Sequence, residues 1–139
     1  MADDRGSTLP LILGFFLVAL LTVAGSVAAG DAFVQQRGLQ DVCDGAAAAA
    51  AASGVDLGRD GALETEPALQ FGDVRGAVNA YLSRDPSRQG VQVITQLSAD
   101  AQTLTLTCAQ TEQIAFGAMF GQAGGVHHVA RSSARAPLS

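Results

Sequence analysis

The 139-residue chain contains no tryptophan and no lysine, one tyrosine, Tyr81, and two cysteines. All eight basic residues are arginines, scattered from Arg5 to Arg135, and the formal net charge is -5. Clustered positive charge of the kind a nucleic-acid surface needs is therefore missing. No Gly-x-Ser-x-Gly, glycine-rich phosphate loop or His-Glu-x-x-His is present, so the sequence offers no recognisable nucleophile, cofactor cradle or catalytic metal site. We expect no enzyme, no cofactor, no small-molecule substrate and no nucleic-acid partner. The most informative absence is local: from Gly6 through Gly30 there is no charged side chain.

Within that gap, Leu9 to Ala29 (LPLILGFFLVALLTVAGSVAA) is apolar or small nearly throughout. At ~1.5 Å rise per residue, about 20 such residues span a hydrocarbon core of roughly 30 Å. The sequence thus predicts a long helix over 7–52 whose segment 9–29 is transmembrane, with the lipid bilayer as its first partner. Residues 1–6 form a polar leader. Arg5 and the terminal amine favour a cytoplasmic N-terminus by the positive-inside rule. A secretory signal peptide cut after Val27-Ala28-Ala29 is the competing reading and would release a secreted or surface-anchored binding module. Against it, one arginine is a poor basic region, and the apolar run exceeds the roughly 7 to 15 residues of a signal peptide.

Gly25, Ser26, Ala29 and Gly30 form a small-residue patch that could pack against another membrane helix, although small residues are also common in any alanine-rich segment. Past Gly30, Leu39, Val42, Cys43, Ala46, Ala47 and Ala50 recur at i, i+3, i+4 spacing, with Gln36, Arg37, Gln40, Asp41 and Asp44 largely elsewhere around the helix. The run Ala46–Ala52 has the highest helix propensity available. Gly38 and Gly45 weaken a helix interior, which predicts a kink or fraying. Ser53-Gly54 is the expected stop.

Residues 53–139 are expected to form an extracytoplasmic head. Val55 to Gly72 reads as a connector with a helical-turn start at Thr65. Asp56, Asp60 and Gly61 suggest the opening of a calcium loop, but Gly58 and Pro67 stand where ligands are required. Asp73 opens a short helix carrying Val74, Ala77, Val78, Tyr81 and Leu82 on one face. Val91–Leu97 and Thr103–Cys108 alternate as the two strands of a hairpin turning at Ser98–Asp100. Gln113–Gly121 is an apolar loop packed on the head or facing the membrane surface. A last strand runs Val126–Ser132, and the tail ending at Ser139 is expected to be mobile. The fold class is α+β: a long N-terminal helix, transmembrane then amphipathic, carrying a small head of one short helix and an antiparallel sheet of about three strands.

Cys43 and Cys108 both point to the faces expected to meet. A disulfide is the favoured reading, since a staple suits a small core; two buried thiols are the alternative. Adjacent His127 and His128 on a strand face opposite ways, so no metal ion is expected there. A site built from the cysteines and one histidine ranks below the disulfide, and the histidines are expected on the surface of an edge strand.

The stretch from Arg5 to Ala52 resembles the N-terminal region of the TadE/TadG-like proteins of the tight-adherence (Tad, or Flp) pilus system. The resemblance rests on Arg5-Gly6-Ser7, one apolar helix, Arg37, Leu39-Gln40, Asp41, Asp44 and the run Ala46–Ala52. The Ala-Phe-Gly-x-x-Phe-Gly segment Ala115–Gly121 followed by a terminal strand is similar in outline to their heads. The resemblance implies a pilin-like head and a membrane-anchored minor pilin or pseudopilin in the bacterial cytoplasmic membrane. Single-pass topology, an outer head, and other pilin-like or assembly-platform membrane proteins as partners follow from the same likeness. Prepilin peptidase cleavage would map to the Gly6-Ser7 bond. Prepilins of the system carry a glutamate at the fifth residue after the cut, where this chain has Leu11. Without that carboxylate an accessory protein fits the residues better than a major pilin does.

Overall fold

No residue between Thr8 and Arg59 forces a helix to stop, and the only proline there, Pro10, stands in the first turn, where its missing N–H has no intrahelical partner to lose. Helix α1 accordingly runs unbroken from Thr8 to Arg59. The structure, a computed structural model, describes residues 8–59, 71–99 and 102–135. The expected stop at Ser53-Gly54 is not observed. Ser53 Oγ instead donates to the Ala50 carbonyl at 2.8 Å, and one glycine costs a helix only about 1 kcal/mol unless it adopts the left-handed conformation. Gly38 and Gly45 are likewise accommodated without interruption.

Helix α2 follows at Phe71–Ser83. A single 3-10 turn, Pro86–Arg88, is capped by Asp85, whose side chain accepts from the Ser87 N–H. Strands β1 (Gln92–Leu97), β2 (Thr103–Glu112) and β3 (Val126–Arg135) form a three-stranded antiparallel sheet in the order β1-β2-β3. The fold class is α+β, as the sequence implies. The β1–β2 register pairs Val93 with Cys108, Thr95 with Leu106 and Leu97 with Leu104. Ser98 starts the hairpin turn, its N–H donating to the Thr103 carbonyl and its hydroxyl accepting from the Thr103 N–H. Strands β2 and β3 are both longer than their apolar alternation suggests. Their added residues, Ala109–Glu112 and Ser133–Arg135, are half-buried or exposed, so backbone pairing rather than burial extends them.

The chain divides into two compact units: α1 up to Val34 with the loop Gln113–Val126, and Gln35–Glu112 with the strand from His127. In the second unit the core is built from one face of α1, one face of α2 and one face of the sheet. Leu39, Cys43, Ala46, Ala47 and Ala50 meet Val74 and Val78, with Leu104, Leu106, Cys108 and Ala130 from the sheet. Alanines on α1 let the sheet approach closely, and the period of two along β2 buries Leu104, Leu106 and Cys108 while leaving the intervening threonines half-exposed. Cys43 and Cys108 are bonded, with S–S 2.12 Å and Cα–Cα 5.9 Å across 65 residues. A loop of that length restricts the unfolded chain by about 4 kcal/mol in the chain-entropy picture.

Candidate membrane and packing surfaces

The apolar half of α1 is the one helix among the described residues long and apolar enough to cross a membrane. Its large side chains are exposed, Leu9, Leu11 and Phe15 by more than 70%. In water such a surface would be costly, at about 25 cal/mol per Å². Between Leu9 and Ala29 the two hydroxyls are satisfied along the helix itself. Thr22 Oγ1 donates to the Val18 carbonyl at 2.7 Å and Ser26 Oγ to the Thr22 carbonyl at 2.8 Å. No unpaired side-chain donor there would oppose entry into hydrocarbon.

The small-residue patch is not uniform. A Cβ on Gly25 would meet the Phe120 ring at 3.8 Å, whereas one on Gly30 would meet nothing within 4 Å. Ser26 and Ala29 are exposed. The Gly25 side is thus covered by the chain's own loop, and the Ser26–Gly30 side is open. The Gly6-Ser7 bond lies outside the described residues, as do Thr65, the Asp60-Gly61 pair and the tail from Ala136; Leu11 is described and exposed.

The loop between β2 and β3 is shaped by two residues. Phe116 adopts the left-handed conformation (φ 58°, ψ 14°), unusual for an aromatic side chain and a local strain. Gly117 follows it, and a Cβ there would stand 2.9 Å from the Gln122 carbonyl oxygen and 2.9 Å from Ile114 Cγ1. A 3-10 turn, Gly117–Phe120, then closes on Gly121 (φ 76°). The result displays Phe116, Met119 and Phe120 as exposed apolar side chains. Asp31 Oδ2 accepts from the Ala115 N–H at 2.9 Å.

Within the head unit, polar contacts fix α1 against β3. Gln36 donates from Nε2 to the Val129 carbonyl at 2.9 Å, and Gln40 to the Arg131 carbonyl at 3.0 Å. With its amide so oriented, Gln36 presents Oε1 to His128 Nδ1 at 3.0 Å. His128 is buried, which corrects the expectation of two surface histidines; His127, on the opposite face, is exposed beside Thr111 Oγ1. Both sulfurs are consumed by the disulfide, which removes the thiolates that a cysteine–histidine metal site would need. Gly45 admits Tyr81: a Cβ at position 45 would lie 2.0 Å from the tyrosine hydroxyl. The same ring carries the Arg88 guanidinium 4.2 Å from its centroid. The sequence gives little sign of this contact or of the glutamine ladder, because a lone glycine in a helix and glutamines on its polar side are also ordinary surface features.

These features define a class: an apolar helix able to cross a membrane that continues, without a break, as the packing element of a disulfide-linked α+β unit. Residues 6–53 match the model of the Tad TadE/G-like Flp pilus-assembly family. The match covers α1 as far as Ser53 and leaves α2 and the sheet outside it. No curated protein and no solved structure matches the chain.

Proposed function

We propose that the chain is a membrane-anchored accessory component of a Tad-type pilus or related secretion apparatus, a minor pilin or pseudopilin with a structural rather than catalytic role. The observation that carries this reading is the coincidence of the family match at residues 6–53 with the unbroken helix Thr8–Arg59. In this reading residues 1–6 are a cytoplasmic leader, 9–29 cross the bacterial cytoplasmic membrane once, and the head from residue 53 is extracytoplasmic. A disulfide between Cys43 and Cys108 is consistent with an outer, oxidising compartment. Partners would be pilin-like or assembly-platform membrane proteins. They would meet the helix on the side of Ser26, Ala29 and Gly30, where small residues allow close approach. Leu11, in place of a prepilin glutamate, favours an accessory role over a filament-building one.

N-terminal sequencing of the mature protein, combined with co-purification from membranes, tests the proposal. A start at Met1, Ala2 or Ser7 is expected, since the helix is retained in each case. A start at Gly30 would instead mark a signal peptide and leave a released binding module. Replacing Ala29 and Gly30 by leucine should reduce recovery of membrane partners; unchanged recovery would remove the small-residue patch as a contact.

A further inference from the structure

The loop Gln113–Val126 belongs to the same compact unit as the apolar half of α1. A cleft of about 420 Å³ is lined by Leu17, Leu20, Val23 and Val27 of the helix together with Phe116 and Met119 of the loop. From Leu17 to Val27 the helix rises about 15 Å, which is the hydrocarbon depth of roughly one leaflet. The span cannot be moved far toward the N-terminus to escape this overlap, because Asp3, Asp4 and Arg5 stand just before it. If 9–29 cross the bilayer, the loop tip lies at hydrocarbon depth.

Irregular backbone enters hydrocarbon only when its polar groups are paired. Here pairing covers much of the loop: the Gly117 N–H donates to the Ile114 carbonyl, Met119 to Phe116, Gly121 to Ala118, Gln122 to Gly117 and Gly125 to Gln122, while the Phe116 and Ala118 N–H groups have no backbone partner among the described residues. The Ala115 N–H is taken by Asp31, the first charged residue after the apolar run. From Gln113 through Ala130 the sequence has no Asp, Glu, Lys or Arg. The left-handed Phe116 and the obligatory Gly117 build a turn whose outward side chains are Phe116, Met119 and Phe120.

We propose that the β2–β3 loop is a second membrane-embedded element, with Phe116, Met119 and Phe120 seated among the acyl chains of the leaflet on the head's side. The proposal rests on the anchoring reading above. Lipid is the occupant that fits, because the apolar loop surface is continuous with a helix surface that itself faces acyl chains, and no charge interrupts either. The loop would thereby add a second point of insertion beside the helix.

Because the protein has no tryptophan, one introduced indole reports its own surroundings. Met119→Trp and Phe15→Trp would each be made in the full chain and reconstituted in phosphatidylcholine–phosphatidylglycerol vesicles with or without brominated acyl chains. Phe120→Trp serves as a second loop probe should Met119→Trp fail to fold. The loop indole is expected to emit at shorter wavelength than in water, to lose most of its emission to brominated lipid and to resist aqueous acrylamide, as the helix indole does. Quenching of the helix indole by lipid but of the loop indole by acrylamide would overturn the proposal while leaving the anchor standing. A loop indole shielded from both quenchers would mean that protein covers it, which also overturns the proposal. Failure of lipid to quench either indole would remove the anchoring reading itself, and this inference with it.

Discussion

Two glycines of α1 that look equivalent in the sequence are opposites in the structure. Gly38 has open space where a Cβ would go, and Gly45 has the Tyr81 hydroxyl at 2.0 Å from that point. Replacing Gly38 by alanine should therefore stabilise the helix, by up to ~1 kcal/mol through backbone entropy and propensity. Gly45→Ala should instead destabilise by about 1–3 kcal/mol, the usual cost of overpacking, and Tyr81→Leu in that background should restore part of the loss. Chemical denaturation of the full chain in micelles reads both signs; equal effects at the two positions would show that Tyr81 does not dock there. Asp85 gives a pH-dependent prediction. The Ser87 backbone N–H, then the Ser87 hydroxyl, and to a smaller degree the Arg88 charge hold its carboxyl below the usual carboxylate value, with desolvation opposing them. A folded pKa below the unfolded one means that the stabilisation is present above the ordinary carboxylate pKa of about 3.9 and is lost as pH falls through the lower folded value. Asp85→Asn should abolish that part of the acid-side slope, and the Asp85 carboxyl carbon, followed by NMR, should titrate below the ordinary range.

Among elements, the packing of α1 on the sheet was the most legible part of the sequence. Leu39, Cys43, Ala46, Ala47 and Ala50 share a helical stripe, Leu104, Leu106 and Cys108 share a strand face, and these are the residues found buried. Periodicity reports which face is apolar, so it carried this information directly. It could not carry the ends of elements: α1 passes Gly54, and β2 and β3 extend beyond their alternating cores, because main-chain hydrogen bonding continues where side-chain burial has stopped. The burial of His128 departs from the expected surface position for a related reason. Alternation places it opposite His127, but the choice of inward face depends on the partner that Gln36 supplies from α1. The disulfide joins the two best-read elements, α1 and β2, and its 65-residue closure predicts that reduction lowers stability by about 4 kcal/mol. Denaturation with and without reductant, beside alkylation before and after reduction, checks this; thiols that alkylate in the native, unreduced protein would end the cross-link.

For the whole molecule, the two compact units rely on different surroundings. The unit built on Gln35–Glu112 and the strand from His127 buries its own core and closes it with a disulfide. The unit built on the first half of α1 and the β2–β3 loop keeps its large apolar side chains exposed, and a bilayer is the solvent that suits them. The sequence by itself determined the apolar helix, the amphipathic face that follows it and the alternation of the strands, because missing charge and regular spacing are properties of adjacent residues. Only the tertiary structure decided that Gly45 makes room for Tyr81, that His128 points inward, and that an apolar loop distant in sequence lies along Leu17–Val27. Those outcomes depend on which surfaces meet after the chain has turned back on itself. The long apolar segment therefore has an inward role as well: it supplies one wall of a cleft whose other wall comes from Phe116 and Met119.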